Sequence, residues 1–361
     1  MSSETASFKD ALVQALCAHI APVDHTVGAR TQALLDGKTK PRRSLGRLEE
    51  LACRIASIRN EDAPPLLKKA VVVMAADHGV AEEGVSAYPQ EVTAQMALNF
   101  QRGGAAINVL ARLADARVVV VDMGVKAPVT DSSVVRDCRI GPGTKNFTRE
   151  PAMSRFEAMQ AIDSGALIAS ELATDGIELI GIGEMGIGNT TSASALTCVL
   201  TGVPPEEATG RGTGIDDAGL ARKLDVIRRA LALHTPDAGD PLGVLAQLGG
   251  FEIAGLCGVV LGAAGARVPV IVDGFIAGVA ALCAVRIEPR VADYLLPSHR
   301  SVEVGHRLVL KALALEPLFE LELRLGEGTG AALAMGLCDS ALAVLNEMAT
   351  FAGAGVSDSG R

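Results

Sequence analysis

AVVVMAADHG (70–79) is the stretch from which the rest of this chain can be read. Its apolar run is unbroken, without the alternation of a strand that keeps one face wet, so both faces must be covered. It stops at Asp77, His78 and Gly79. Three later runs repeat the pattern: ARVVVVDMG (116–124), IELIGIG (177–183) and VPVIVDG (268–274). Longer Ala/Leu segments of helical type separate them. Buried strands alternating with helices predict an α/β fold with a parallel sheet flanked by helices. In such sheets ligands bind beyond the carboxyl ends of the strands, where Asp77, His78, Asp122, Glu184 and Asp273 fall.

Outward from the strands the pattern changes. From Phe8 to Ile58 apolar residues recur at helical spacing, as in Leu45, Leu48, Leu51, Ala52 and Ile55, until Pro64 and Pro65 interrupt it. From Leu308 to Phe351 the reading is helical again, broken by LRLGEGTG (323–330). The expected division is a small helical domain from 1–66 and 308–361, and a large α/β domain, 67–307, holding the glycine-rich loops. The tail AGAGVSDSGR after Phe351 should fray. The apolar stretch Ile253 to Ala266 is short of the roughly 18 residues a membrane span needs, and reads as a small-residue helix buried against the sheet.

Composition narrows the function. Hydrophobic residues make up 49% of the 361 and charged residues 21%, enough for a large core. Aromatics are only 3%, with no Trp, so that core is aliphatic and glycine-rich. A net charge of −9, with no basic stripe or stacking aromatics, argues against nucleic acid as a partner. Seven dispersed cysteines without a C-x-x-C pair fit reduced thiols in a cytoplasmic protein. The polar start, Met1 to Asp10, is unlike a signal peptide.

The sharpest local feature is GIGEMGIGNTTSASA (181–195), a predicted strand running into a helix that starts near Asn189 to Ser192. Glycines free backbone N–H groups to converge, and a helix N-terminus adds positive potential, so a phosphate fits there. Gly181, Gly183 and Gly186 also spell the dinucleotide fingerprint, which keeps an NAD-dependent oxidoreductase as an alternative. Against it, Glu184 would face a pyrophosphate of like charge. ATGRGTGIDDAGLARK (208–223) is a second glycine loop. Its Lys223 either reaches a phosphate or is a solvated surface lysine. In AADHGVAEEGVSAYPQEVTAQM (75–96), Asp77 and His78 lack a second histidine at ligand spacing, so no metal site is expected. Ser86, Tyr88, Gln95 and Met96 suit the wall of a pocket for a flat heterocycle, although core packing also explains Met96. LRLGEGTGAALAM (323–335) sets Glu327 between two glycines beside Leu325. It is either a helix-end acid complementing the macrodipole or a base whose pKa is raised by apolar surroundings.

Taken in order, PRRSLGRLEELA (41–52), AADHGVAEEGVSAYPQEVTAQM, GGAAINVLAR (103–112), GTKNFTREPAMS (143–154), GEMGIGNTTSASAL (183–196), GRGTGIDD (210–217), VDGFIAGVAAL (272–282), SHRSVEVGH (298–306) and RLGEGTGAALAM resemble one family. It is the nicotinate-nucleotide–dimethylbenzimidazole phosphoribosyltransferases, which assemble the lower ligand of cobalamin. One departure is visible: Arg42-Arg43 stands where a Pro-Gly-like pair is expected. The resemblance implies a Rossmann-like sheet, a homodimer, and no cofactor. It implies transfer of a 5-phosphoribosyl group from nicotinate mononucleotide to 5,6-dimethylbenzimidazole. Glu327 matches the family's base, and Glu184 and Lys223 match further active-site positions. Gly186 and Gly188 match phosphate-binding backbone; Asn189, Thr190, Asp273, Gly274 and Ser301 complete the expected phosphate and ribose site. A nucleotide-sensing module that kept the fold without catalysis is the non-enzymatic alternative.

Overall fold

The structure, a computed structural model, describes residues 13–127 and 135–357. The polar start, the first residues of the leading helical pattern and the last four of the tail lie outside it. Six strands form one parallel sheet: β1 Lys69–Ala76, β2 Ala116–Gly124, β3 Val135–Asp137, β4 Leu179–Met185, β5 Val270–Val272 and β6 Leu295–Pro297. Their order is β3-β2-β1-β4-β5-β6, so the chain builds outward one way from β1 and then the other way from β4. This is the doubly wound Rossmann-like order, and its crevice opens where the direction reverses, at the ends of β1 and β4. Every residue of β1 is buried, as the unbroken apolar run required. Its register with β4 pairs Val71 with Gly181 and Met74 with Glu184.

Each face of the sheet carries one central helix. Met74 points at helix Phe251–Gly265 and Val71 at the loop and helix Thr329–Glu347, opposite faces as strand alternation demands. Helix Phe251–Gly265 is the predicted small-residue helix; it lies between the sheet and helix Arg155–Thr174. A side chain at Gly258 would strike the backbone of Ile162, so glycine there sets the helix–helix distance. Helix Thr329–Glu347 is long and apolar enough to cross a membrane by composition, yet it is packed on the sheet, with Ala331, Ala334, Met335 and Cys338 fully buried.

The two chain ends meet. Helices His25–Asp36 and Arg47–Arg59 pack on each other and on helix Thr329–Glu347. A bridge from Lys38 to Thr350 and a 2.9 Å bond from Lys38 Nζ to the Met348 carbonyl fasten them. Because helix Thr329–Glu347 touches both these helices and strands β4 and β5, the end-piece shares its core with the sheet. In the early loop Arg43 adopts φ +56°, the left-handed conformation that a glycine would take without strain.

Candidate active site

A cleft of ≈ 500 Å³ opens at the carboxyl ends of the strands, around the end of β4 and the loops after β5 and β6. Glu184, Gly186, Asn189 and Thr190 form one wall, and Gly274, His299, Ser301 and Glu303 another. Leu325 and Gly326 come from the segment before helix Thr329–Glu347, and Tyr88 closes a side.

Two helix N-termini face this cleft. Helix Asn189–Thr201 follows Gly188, held at φ +97°, and helix Phe275–Ile287 follows Gly274. The dipoles of the two helices make the cleft floor attractive to a phosphate, although at helix Asn189–Thr201 the Asn189 and Thr191 N–H groups already donate to the Gly186 and Gly188 carbonyls. Behind that floor lies Lys223, from helix Asp217–His234. It is 0% exposed, which excludes the solvated-surface reading. Its Nζ donates to Thr190 Oγ1 at 2.8 Å and to the Gly210 carbonyl at 3.4 Å. Since the Thr190 oxygen accepts from the lysine, its own proton is free to donate into the cleft. Burial pulls the Lys223 pKa down to about 8, with the Glu303 carboxylate pulling the other way. The lysine therefore reaches the cleft through Thr190.

Four buried carboxyl groups crowd the β4 end. Glu184 is pushed up to about 8, first by burial, with the charges of Glu252, Asp273 and Glu327 adding to the effect and a hydrogen bond from Asn189 Nδ2 opposing it. Its surroundings favour the protonated acid. Asp273 ends β5 and accepts N–H bonds from Gly328 (3.1 Å), Gly330 (2.7 Å) and Ala331 (3.1 Å). Burial raises it to about 7 against those bonds. Its oxygens fix the start of helix Thr329–Glu347 and are spent on backbone. Glu252 pairs with His78 at 2.6 Å, both fully buried.

Glu327 sits on that fixed turn. Gly326, Glu327 and Gly328 have φ of +79°, +62° and +86°, so a non-glycine residue is held in left-handed backbone just behind the cleft surface. Such strain persists only where the surroundings over-determine it. Glu327 N donates to the Glu184 carbonyl at 3.3 Å, and Gly183 lies against the Glu327–Gly328 backbone. The Glu327 carboxylate is 4% exposed and accepts a weak 3.4 Å bond from Ile107 N, in the first turn of helix Ala106–Leu113. Burial raises its pKa. Of the two readings of Glu327, the helix-end role on its own helix is taken by Asp273, while the Glu327 carboxylate turns toward a different helix.

The structure brings Glu184, Gly186, Asn189, Thr190, Gly274, Ser301, Tyr88 and Leu325 together on the cleft surface. Gly188, Lys223, Asp273 and Glu327 lie immediately behind it. Ser86 reaches the rim through a 3.4 Å contact with Thr213 Oγ1. Gln95 is exposed and Met96 half-buried on helix Val92–Gln101, away from the cleft surface. From that helix Thr93 instead supports the floor, accepting Ile187 N at 3.1 Å. His299, Glu303 and Arg324 were not singled out from sequence, although SHRSVEVGH and RLGEGTG contain them. Gly181 and Gly183 lie inside β4, where Gly181 packs on Ala331 and Met335. A dinucleotide fingerprint needs its first glycine in the turn after the strand, so this match is incidental. Among the described residues no group of three or more His, Cys, Asp or Glu could hold a metal ion.

Residues 20–356 match the phosphoribosyltransferase family. The chain is 56% identical over 346 residues to the nicotinate-nucleotide–dimethylbenzimidazole phosphoribosyltransferase of Roseiflexus sp. (strain RS-1), covering 96% of this chain and 98% of that protein. It is 52% identical to the protein of the same name from Geobacter metallireducens, covering 94% and 96%. Among solved structures, CobT from Thermus thermophilus superposes with a TM-score of 0.88 at 48% identity, over 92% of this chain and 99% of that one.

Proposed function

Because the chain belongs to the nicotinate-nucleotide–dimethylbenzimidazole phosphoribosyltransferase family, we propose that it transfers the 5-phosphoribosyl group of nicotinate mononucleotide to 5,6-dimethylbenzimidazole. The products are α-ribazole 5′-phosphate and nicotinate, and the reaction serves assembly of the cobalamin nucleotide loop. The match to proteins of this name over nearly the whole chain, at more than half identity, carries the conclusion.

The cleft supports a concrete mechanism. The donor phosphate sits at the N-termini of helices Asn189–Thr201 and Phe275–Ile287, on the backbone of Gly186, Gly188 and Gly274. Asn189, Thr190 and Ser301 add side-chain contacts. Lys223 lends its charge through Thr190. The acceptor ring lies against Tyr88 and Leu325, with Ser86 at the rim of the cleft. A ring nitrogen of the acceptor attacks C1′ with its lone pair. The C1′–N bond to the pyridinium breaks, and its electron pair neutralises that ring. The proton on the acceptor's other nitrogen passes to Glu327, whose raised pKa suits the task. Glu184, as the protonated acid, donates a hydrogen bond. Attack opposite the β-linked leaving group gives the α-linkage. No cofactor is needed, since the cationic pyridinium is already an activated leaving group.

The same reading makes the enzyme a cytoplasmic homodimer. Exposed Val109 and Leu113 on helix Ala106–Leu113, beside Leu333 on the neighbouring helix Thr329–Glu347, offer an apolar face. The contacts between the chain ends support a small domain of 1–66 and 308–361 beside the sheet domain 67–307. Incubation with both substrates tests the function: nicotinate should appear only when dimethylbenzimidazole is present. Donor binding without turnover would favour the sensing module instead.

A further inference from the structure

We propose that Glu303 recognises the ribose of the donor, its carboxylate accepting a hydrogen bond from a ribose hydroxyl. The assignment rests on the phosphoribosyl-transfer reading and says which residue reads the sugar. Glu303 lines the cleft, is 8% exposed, and heads helix Val304–Ala312. Its backbone is fixed: its N–H donates to Ser301 Oγ at 3.3 Å and its carbonyl accepts His306 N at 3.0 Å. Ser301 N in turn donates to His306 Nδ1 at 2.9 Å. The side chain is different, for Glu303 Oε2 is buried without any hydrogen-bond partner.

A buried carboxylate oxygen left without a donor is costly, and a ligand hydroxyl reaching Glu303 from the cleft would offset that cost. The nearby cation does not supply a donor in this structure: Lys223 Nζ donates to Thr190 and to the Gly210 carbonyl and makes no hydrogen bond to Glu303 Oε2. Space for the carboxylate is kept by Gly210, where any side chain would press on Glu303 Oε2. The phosphate is not the partner, since a carboxylate only accepts and repels an anion, and the phosphate has two helix N-termini on the same cleft. What remains of a phosphoribosyl group is its pair of ring hydroxyls, both donors. Ribose recognition by a carboxylate at the end of a parallel strand is a recurring solution in doubly wound sheets.

The test compares kcat/KM for nicotinate mononucleotide with its 2′-deoxy and 3′-deoxy analogues, in wild type, Glu303→Gln and Glu303→Ala. Wild type should prefer the ribonucleotide to one deoxy analogue by about 10–100-fold, the range for a charge-assisted hydrogen bond. Glu303→Ala should lose about that factor on the ribonucleotide and little on that analogue, erasing the preference, with Glu303→Gln between. Should the alanine variant fail to fold in a thermal melt, the isosteric glutamine variant decides. Equal losses on all three donors, as recognition of the pyridinium cation would give, overturn the assignment. So does an unchanged preference. Wild type that turns over no donor at all sinks the transferase reading with it, whereas normal turnover with unaltered preference sinks only the role of Glu303.

Discussion

Replacing Glu184 by glutamine should change how stability depends on pH, and the structure sets the size of the effect. The Glu184 carboxyl titrates near its ordinary 4.5 in the unfolded chain and at about 8 in the fold, where burial and neighbouring carboxylates hold the proton on. Between those values the native state keeps a proton that the unfolded state has released. Unfolding free energy therefore falls as pH rises through that window. Each pKa unit corresponds to about 1.36 kcal/mol, so from pH 5 to pH 8 this one residue should remove on the order of 4 kcal/mol. The glutamine of the variant has no proton to lose, and its carbonyl can still accept from Asn189. Asp273, Lys223, His299 and His306 also titrate anomalously but are common to both proteins, so most of their contribution cancels in the difference. Urea midpoints for wild type and Glu184→Gln, taken at intervals from pH 5 to 8, give that difference directly. It should grow with pH in favour of the variant. A difference independent of pH would mean that Glu184 is ionised in the fold, and would refute the reasoning.

Three further outcomes are expected. Glu327→Gln keeps the shape of the strained turn but cannot take a proton, so turnover should fall on the order of 10²–10⁴-fold at an unchanged melting temperature, measured by steady-state kinetics. Lys223→Met should raise the KM for nicotinate mononucleotide by about one to two decades and leave that for dimethylbenzimidazole nearly unchanged. Thr190→Val should reproduce it, and the double variant should be no worse than either, because the lysine acts through the threonine. Asp273→Asn sets an amide against backbone N–H donors and should cost about 1–3 kcal/mol of stability, with faster hydrogen exchange at Gly328, Gly330 and Ala331.

The core of the sheet was legible because β1, β2, β4 and β5 are continuous apolar runs ending in Asp, Gly or Glu. Neither β3 nor β6 announces itself: β3, Val135–Asp137, carries two charged residues in three, and β6 ends in Pro297. The glycine turn before Asn189 was legible because glycines close a strand-to-helix turn, here with Gly188 at φ +97°. Burial of Lys223 was not, since helix Asp217–His234 is studded with charge and gives no hint that one lysine faces inward. The same limit applies to Glu303 and Asp273. Their roles come from neighbours far apart in sequence, such as Gly210 for the first and the 328–331 backbone for the second. Gln95 and Met96 illustrate the converse, since a suitable residue type in a suitable segment need not line the cleft.

The most direct test of phosphoribosyl transfer is the configuration of the product. The purified chain is incubated with nicotinate mononucleotide and dimethylbenzimidazole, and the new nucleotide is examined by proton NMR at its C1′ position. In-line attack opposite the departing nicotinate predicts one product, α-linked, formed in equal amount to the nicotinate released. A β-linked product, or nicotinate released with ribose 5-phosphate and no new nucleotide, would contradict the account.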